Sequence, residues 1–284
     1  MNADSKFTTW EEAVRWLRSE PAQQELVQAA FYDDPLSAAA MRYWQSSEWA
    51  AVRTLIGPGS GKTALDIGAG RGIASYALAR DGFSVVALEP DPSQLVGAGA
   101  IRALATEAGL AIRVEQEFSE KLPFASASFD VVFARAVLHH TKDLRAACAE
   151  IFRVLKPGGK FLAVREHVLS HTRDLPRFLQ MHPLHSLYGG EHAYIADEYR
   201  VALTGAGFSV NTLRSFDSPI NYFPHTDDSL REKLVGPLRR IPIIQSLVSA
   251  AIAPRLVFAA LLHLMSVADR RPGRLYSFIC SKPS

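Results

Sequence analysis

One stretch of the sequence decides the fold: Ala64-Leu65-Asp66-Ile67-Gly68-Ala69-Gly70-Arg71-Gly72. An apolar run is followed by three glycines at alternate positions, and an apolar segment resumes at Ile73. This order predicts a buried strand, a turn with few side chains, and a helix. Glycine suits such a turn because it tolerates unusual backbone angles and lets a ligand lie against the main chain. Since a helix N-terminus offers N–H groups to an anionic group, we predict a nucleotide-type cofactor site at Gly68, Ala69 and Gly70.

The glycine spacing separates two cofactor classes. A dinucleotide site has the pattern G-x-G-x-x-G after its strand, whereas the third glycine here comes one residue early. Asp66 at the strand end would repel a pyrophosphate, but it suits a cofactor that carries an ammonium and a sulfonium group. An acidic residue followed by G-x-G resembles the class I S-adenosylmethionine-dependent methyltransferases. A nicotinamide oxidoreductase is therefore disfavoured.

A second carboxylate follows the next predicted strand, Val85 to Leu88. Glu89, followed by Pro90, lies about twenty residues past the glycines, where a carboxylate reaches the two ribose hydroxyls of a nucleotide. A carboxylate accepts two hydrogen bonds from a diol at once. We therefore predict that Glu89 and Pro90 belong to the cofactor site.

Two further motifs extend the resemblance to residues 64–165. The spacing of Leu122-Pro123-Phe124 to Ser128-Phe129-Asp130, and the helix stop Arg153-Val154-Leu155-Lys156-Pro157-Gly158-Gly159, recur in small-molecule methyltransferases of this class. In that family an acidic or polar residue four places before the leucine often meets the adenine. Phe118 stands there in this chain, so we expect stacking by Phe118 and a polar contact from Ser119. Ala134 and Arg135, at the end of the fourth strand, complete the predicted cofactor site.

The resemblance implies an α/β fold with a doubly wound, seven-stranded Rossmann-like sheet. We predict a helical N-terminal cap over residues 1–60, whose third helix runs from about Leu36 to Leu55, and the cofactor-binding core over 61–165 with a fifth strand at Lys160 to Val164. A substrate-site insertion is expected at 166–194. The end of the sheet is expected at 195–284, interrupted by a helical insertion at 215–273. In the cap, Arg42, Tyr43 and Trp44 are either core packing or a lid over the cofactor.

Histidines near the predicted strand ends are the candidate bases. Histidine titrates near neutral pH, and a hydroxyl acceptor gains from such a base. The catalytic candidates are His140, His139, His167 and His185. The predicted substrate-binding residues are Tyr43, Arg165, Glu166, His182, Tyr188 and Glu191. No metal site is predicted, because neither a C-x-x-C pair nor a helical pair of histidines four residues apart occurs.

Composition limits the remaining classes. The 284-residue chain has a formal net charge of only +2, which argues against a dedicated nucleic-acid-binding protein. Its two cysteines, Cys148 and Cys280, are expected to be buried thiols. The polar start, Met1 to Thr9, has no apolar leader, so we expect a cytoplasmic protein.

The apolar tract from Ile241 to Ala268 is the least ordinary feature of the chain. Pro242 and Pro254 interrupt it and Arg255 lies at its middle, so two helices are predicted rather than a membrane span. Packing, a homodimer contact, a lipid-linked substrate and membrane-surface docking all stay open. Arginines flank the tract and support the last of these: Arg239, Arg240, Arg270, Arg271 and Arg274.

The predicted function is transfer of a methyl group from S-adenosylmethionine to a small-molecule acceptor, which is expected to be free, sugar-linked or lipid-linked. Oxygen is favoured because of the histidines. Three alternatives remain: cyclisation of the cofactor, transfer of its aminocarboxypropyl group, and a non-catalytic binding protein on the same fold. The intact Asp66, Gly68, Gly70 and Glu89 argue against the last.

Overall fold

The computed structural model describes residues 7, 9–181 and 192–284. Its centre is a sheet of strand order β3-β2-β1-β4-β5-β8-β7, with the short β6 paired to β5. Among the described pairings, those of β8 are antiparallel and the others are parallel. The strands are β1 Thr63–Ile67, β2 Ser84–Leu88, β3 Ile112–Glu115, β4 Phe129–Arg135, β5 Leu155–Leu169, β6 Tyr194–Ile195, β7 Ser209–Leu213 and β8 Arg274–Ser281.

Helices cover both faces of this sheet, as the resemblance predicted. One face packs against α3, α4 and α5 around Trp49 and Phe133, and the other packs against α7 and α9 around Phe161 and Tyr199. Both layers are apolar because the sheet is buried on its two faces. The helices are α1 Trp10–Ser19, α2 Gln24–Ala29, α3 Leu36–Trp44, α4 Ser47–Ile56, α5 Ile73–Arg80, α6 Ala98–Ala108, α7 Leu144–Val154, α8 Leu175–Gln180, α9 Ala196–Gly205, α10 Pro219–Tyr222, α11 Asp227–Val235, α12 Pro242–Ile252 and α13 Arg255–Ala268.

The register of the parallel strands brings the site together. Ile67 at the end of β1 lies beside Leu88 of β2 and Ala134 of β4, and Arg135 lies beside Val164 of β5. The segments that follow these strands therefore emerge at one edge of the sheet, the edge where ligands bind in open parallel sheets.

Two predicted elements differ from the structure. The single helix expected from Leu36 to Leu55 is two helices, because Ser46 is extended and its hydroxyl caps α4 by accepting from Trp49 N–H at 3.0 Å. The fifth strand is longer than Lys160 to Val164, since β5 extends to Leu169 through an irregularity between Ala163 and Glu166. That irregularity includes Arg165, whose φ of 59° is left-handed.

The tract Ile241 to Ala268 forms two helices, as predicted. Along the part of the chain that the structure describes, no single helix has both the length and the apolar character to cross a bilayer. Helices α12 and α13 meet that test only when taken together, and they are bent by 98° at the break between them.

Candidate active site

The glycine turn follows β1 in the predicted order of strand, turn and helix. Gly68, Gly70 and Gly72 have φ angles of 61°, 54° and 83°, which side chains with a Cβ rarely adopt. A Cβ on Gly68 would lie 2.7 Å from a methyl group of Val137, whereas a Cβ on Gly70 would meet nothing within 4 Å. The main chain at Gly70 is therefore open to a ligand.

Two buried carboxylates flank this turn. The Asp66 carboxylate accepts a hydrogen bond from Ser75 Oγ at 2.6 Å, and burial raises its pKa to about 7. Glu89 accepts from Gly70 N–H at 2.7 Å and from Asp91 N–H at 2.9 Å, and burial raises the pKa of its carboxyl group too. The hydrogen bond from Gly70 N–H places the Glu89 carboxylate, the predicted ribose contact, beside the open backbone. These residues fit a nucleoside cofactor with a cationic amino-acid end.

Arg71 joins the turn to the N-terminal helices, which sequence reasoning missed. Its buried guanidinium donates to the carbonyls of Phe31 at 3.0 Å and Asp33 at 2.9 Å, and to the Asp34 carboxylate at 2.5 Å. A second contact with the N-terminal helices comes from the segment after β2, where Ser93 Oγ donates to the Glu11 carboxylate of α1. A charged residue between two glycines of a tight turn is the signal that could have predicted this clamp.

The loop after β3 carries the predicted adenine contacts. Phe118 is 60% exposed, with the Lys142 ammonium 5.6 Å from its ring centre, and Ser119 is buried. The Ser119 hydroxyl donates to Glu120 at 3.2 Å. An exposed aromatic ring at this edge is suited to stacking, and this role stays a prediction, as do the roles of Pro90 and the buried Ala134.

On the acceptor side, Glu166 is fully buried at the centre of a polar cluster. Its carboxylate accepts from the N–H groups of Val137 and Leu138 at 3.1 Å and of His139 at 3.2 Å. One oxygen of Glu166 also lies 2.6 Å from His139 Nδ1. Ala136, which precedes Val137, has a φ of 57°. The tight turn at this residue directs the three successive N–H groups at the Glu166 carboxylate. Glu166 therefore positions His139, whereas we had predicted direct substrate contact.

Two other histidines surround His139. The ring centre of His140 lies 4.2 Å from that of His139, and the ring centre of His167 lies 4.9 Å away. His167 Nδ1 is 2.9 Å from the Gly273 carbonyl, so this nitrogen donates. Burial lowers the pKa of His167 to about 3, which makes it a weak base at neutral pH. Three of the four predicted catalytic histidines thus lie together.

A further buried carboxylate, Glu48 of α4, lies among the side chains on the other face of the sheet. Arg135 binds it through two hydrogen bonds of 2.6 and 2.9 Å, and Arg165 Nη1 lies 3.6 Å from it. The Tyr43 hydroxyl donates to Glu48 at 3.2 Å. Arg165 also donates to the carbonyls of Ile220 and Phe223. Glu48, an acidic residue on an otherwise apolar helix face, is the sequence signal that could have indicated this cluster.

These contacts correct several predicted roles. Tyr43 is fully buried against Glu48, and both Arg135 and Arg165 are engaged by the same carboxylate, so the three side chains pack the cap onto the sheet. Of the two alternatives left open for the cap residues, these contacts favour packing over a lid: Arg42 pairs with Asp33, and Trp44 donates to Asp81. Four predicted residues lie outside the described residues: His182, His185, Tyr188 and Glu191.

An apolar cavity of about 480 Å³ lies beside this edge of the sheet, under the helical insertion. Its apolar lining includes Phe216, Tyr222, Phe223, Leu262 and Met265, and its polar lining includes His225, Lys233, Arg271 and Arg274. The Phe223 ring stacks on Phe31 with ring centres 6.0 Å apart, and Phe31 is the residue whose carbonyl binds Arg71 of the glycine turn. The cavity and the turn are thus linked by direct contacts.

Comparison with known proteins agrees with this geometry. Residues 65–163 match the sequence profile of the family described as "Methyltransferase domain". The chain is 29% identical over 191 residues to "O-methyltransferase resE" of Aspergillus sclerotiorum, which covers 65% of this chain and 69% of that one. It is 37% identical over 110 residues to the "Ubiquinone biosynthesis O-methyltransferase" of Methylobacterium sp. strain 4-46, across 37% of this chain and 41% of that one.

A solved structure shares the fold over almost the whole chain. The "putative sarcosine dimethylglycine methyltransferase" of Galdieria sulphuraria has a TM-score of 0.58 at 19% identity, covering 96% of this chain and 98% of that one. This likeness is one of fold. The matched profile and the named relatives, with the geometry of the glycine turn, identify residues 65–163 as a methyltransferase domain and support a class I S-adenosylmethionine-dependent methyltransferase with S-adenosylmethionine as its cofactor.

Proposed function

We propose that the enzyme transfers the methyl group to a hydroxyl oxygen of a small molecule, with His139 as the base. One observation carries the proposal: the fully buried Glu166 carboxylate lies 2.6 Å from His139 Nδ1 and is held in place by three backbone N–H groups. A carboxylate in this position fixes the imidazole tautomer, because Nδ1 carries the proton that it donates. Nε2 is then the nitrogen that accepts a proton from the acceptor hydroxyl.

The cofactor side of the site has separate residues. S-adenosylmethionine supplies an electrophilic methyl carbon on a sulfonium. We assign the ribose diol to Glu89, the adenine to Phe118 and Ser119, and the main-chain contact to Gly68, Ala69 and Gly70. Asp66 lies at the strand end before the turn, and its ionised form favours a cationic amino-acid end. These groups bind and orient, which is the main task in a displacement between two bound reactants.

The acceptor is proposed to enter the cavity beneath the helical insertion. Its lining is mostly apolar, with the cationic Lys233, Arg271 and Arg274 on its polar side. This favours an apolar acceptor, aromatic or lipid-linked, that carries an anionic or strongly polar group. The oxygen acceptors named for "O-methyltransferase resE" and the ubiquinone enzyme support the choice of oxygen.

Other parts of the sequence-based interpretation remain proposals. We propose that the domains divide at residues 60, 165 and 194. We also propose a cytoplasmic location and a homodimer. Cyclisation of the cofactor and aminocarboxypropyl transfer are the alternative chemistries, and they leave different products.

A matched pair of acceptors tests the proposal. Purified protein is incubated with S-adenosylmethionine and either 2-naphthol or 2-naphthylamine, which have the same apolar shape but offer oxygen or nitrogen. We expect S-adenosylhomocysteine and a methyl ether from the naphthol. Methylated amine alone, or cofactor consumption without an acceptor, would contradict the proposal.

The base is tested with His139→Asn, which keeps an N–H donor toward Glu166 but removes the ring. We expect kcat to fall by about 100-fold to 10,000-fold, the usual range for a lost general base. His167→Asn is the matched control, and because His167 has a low pKa its kcat should fall far less. Equal losses in both variants would assign the cluster a structural role.

A further inference from the structure

The helical insertion exposes an unusual apolar surface. Eleven large apolar side chains are exposed among the described residues, and eight of them lie between residues 241 and 267. We call these eight the outer face: Ile241, Ile243, Ile244, Leu247, Leu256, Val257, Leu264 and Val267. Leu256 is 86% exposed and Ile243 is 76% exposed. A concentration of exposed apolar side chains of this kind marks an interaction site.

The opposite side of the same helices is anchored to the protein. Ile252, Phe258 and Leu262 are buried in a core with Tyr222 and Leu230. Ser266 Oγ accepts from Phe216 N–H at 2.7 Å, and the Arg231 guanidinium lies 3.8 Å from the centre of the Phe258 ring. The part of the outer face on α13 is therefore held outward by a packed inner face, whereas α12 is anchored at its end, through Ile252.

The shape of the helix pair suits shallow contact with a surface. Helix α12 has 11 residues and α13 has 14, and they meet at 98°. At 1.5 Å per residue both are far shorter than the roughly 30 Å hydrocarbon core of a bilayer. Helices that lie in the membrane interface bury one apolar face and leave the other on the protein or in water.

The chain segment that carries the outer face is predominantly basic. From Gly236 to Arg271 the chain has five arginines and a single acidic residue, Asp269, which is buried and paired with Arg271. Arg240, Arg255 and Arg270 are exposed at the ends of the two helices. Arg274, which we had counted among the flanking arginines, is instead buried against Ser170 and Val168. Acidic residues of α11 lie nearby: Glu232 pairs with Arg239 at 2.7 Å. With Asp227 and Asp228 it also lines a hollow at the bend between the helices, and Arg255 lines the same hollow.

We propose that the outer face docks onto a membrane surface that contains anionic lipids. The apolar side chains enter the interface, and the exposed arginines bind the anionic headgroups. A second copy of the chain suits this face less well, because a two-fold contact would bring arginines of one copy against those of the other. The proposal rests on this surface alone and stands apart from the identity of the acceptor.

Docking would also have a consequence for the cavity. Leu262 and Met265 of α13 line it from the inner side of the same helix whose outer side carries Leu256 and Leu264. One helix would then separate the lipid from the cavity, which is a short path for an acceptor that partitions into the membrane.

Flotation with lipid vesicles tests the proposal. The full-length protein is mixed with vesicles of pure phosphatidylcholine or of phosphatidylcholine with phosphatidylserine. We expect binding to the mixed vesicles that weakens as salt increases. The double variant Leu247→Ser/Leu256→Ser should bind at least about tenfold more weakly, because less apolar surface enters the interface. Val201→Ser, which changes an exposed apolar residue of α9, should bind like the wild type.

The charge contribution has its own pair of variants. Arg240→Glu/Arg270→Glu should weaken binding to the mixed vesicles by about tenfold or more, whereas Arg145→Glu on α7 should not. Sedimentation equilibrium on the same proteins measures whether a second copy of the chain binds the outer face instead. Absence of vesicle binding would overturn the proposal, as would binding unaffected by these variants. A dimer that Leu247→Ser/Leu256→Ser dissociates, without any vesicle binding, would assign the face to a second copy.

Discussion

Two buried glutamates at the carboxyl edge of the sheet are held in different ways. Glu48, in the N-terminal helices, is bound by the guanidinium of Arg135 and lies near that of Arg165. Glu166, on the opposite face, is bound by three backbone N–H groups and by the imidazole of His139. Arginine keeps its charge in a protein, whereas an imidazole gains and loses a proton near neutral pH.

The difference indicates what each region does. Around Glu48 the charges are permanent, and the bonds tie two layers of the fold together across 87 residues of sequence. Around Glu166 the partner is an imidazole, the group to which we assign removal of the proton from the acceptor hydroxyl. We therefore expect changes at Glu48 to act on stability and changes at Glu166 to act on catalysis.

The largest effect is expected from Glu48→Ala. The substitution leaves two buried guanidinium groups without their carboxylate, so the free energy of unfolding should fall by about 3–5 kcal/mol. Urea denaturation followed by circular dichroism measures this loss. Glu107→Ala on α6, an exposed site, is the control and should change stability by less than about 0.5 kcal/mol. If the free energy of unfolding fell by less than about 1 kcal/mol in Glu48→Ala, the stabilising role assigned to Glu48 would be wrong.

The next effect is expected from Glu166→Gln, which keeps an oxygen for the backbone N–H groups but removes the charge beside His139. We expect kcat to fall about a hundredfold, since the tautomer and charge of the base are no longer supported. The acidic limb of the pH–rate profile should also move to lower pH, because a neighbouring carboxylate favours a protonated imidazole. Glu48→Ala, assayed at a temperature where it is folded, should keep the wild-type profile. Matching profiles for the two variants would remove the proposed distinction.

A third buried carboxylate sharpens the comparison, because Asp66 has a hydroxyl partner, Ser75, in place of a cation. Its pKa is raised from 3.8 to about 7 by burial, so the folded state binds a proton that the unfolded state has released between these values. The stabilising contribution is complete below about pH 4 and is lost as the pH rises to about 7. Between pH 5 and pH 6 the wild type should lose about 1.4 kcal/mol relative to Asp66→Asn. Parallel stability curves for the two proteins would show that Asp66 is ionised throughout.

The smallest effect is expected at Phe118, where an exposed ring replaces the family's polar residue. Phe118→Ala should weaken S-adenosylmethionine binding by about threefold to tenfold, as suits one lost aromatic stacking contact. Phe118→Tyr keeps the ring and should bind as the wild type does. Isothermal titration calorimetry measures both. An unchanged affinity in Phe118→Ala would show that adenine is bound by other residues.

The cofactor half of the molecule was predictable because its signals are local. The strand, glycine turn and helix from Ala64 to Arg80 form from neighbouring residues, and Glu89 follows directly from the end of β2. The contacts of Glu48 and Glu166 were not predictable in the same way. The hydrogen bonds from Arg135 to Glu48 and from His139 to Glu166 join residues 87 and 27 positions apart. Ala136 and Arg165 adopt left-handed backbone angles that their residue types do not indicate.

The clamp formed by Arg71 makes the cofactor turn and the N-terminal segment one cooperative unit. The Arg71 guanidinium binds Phe31, Asp33 and Asp34 while its backbone belongs to the turn. The segment before α3 therefore cannot move away from the turn without breaking these three hydrogen bonds. Loosening at the start of the chain and loosening of the turn should then occur in a single opening event, in the sense of a local unfolding unit. The rate at which the cofactor is exchanged is in that case set by residues some forty positions before the turn that holds it.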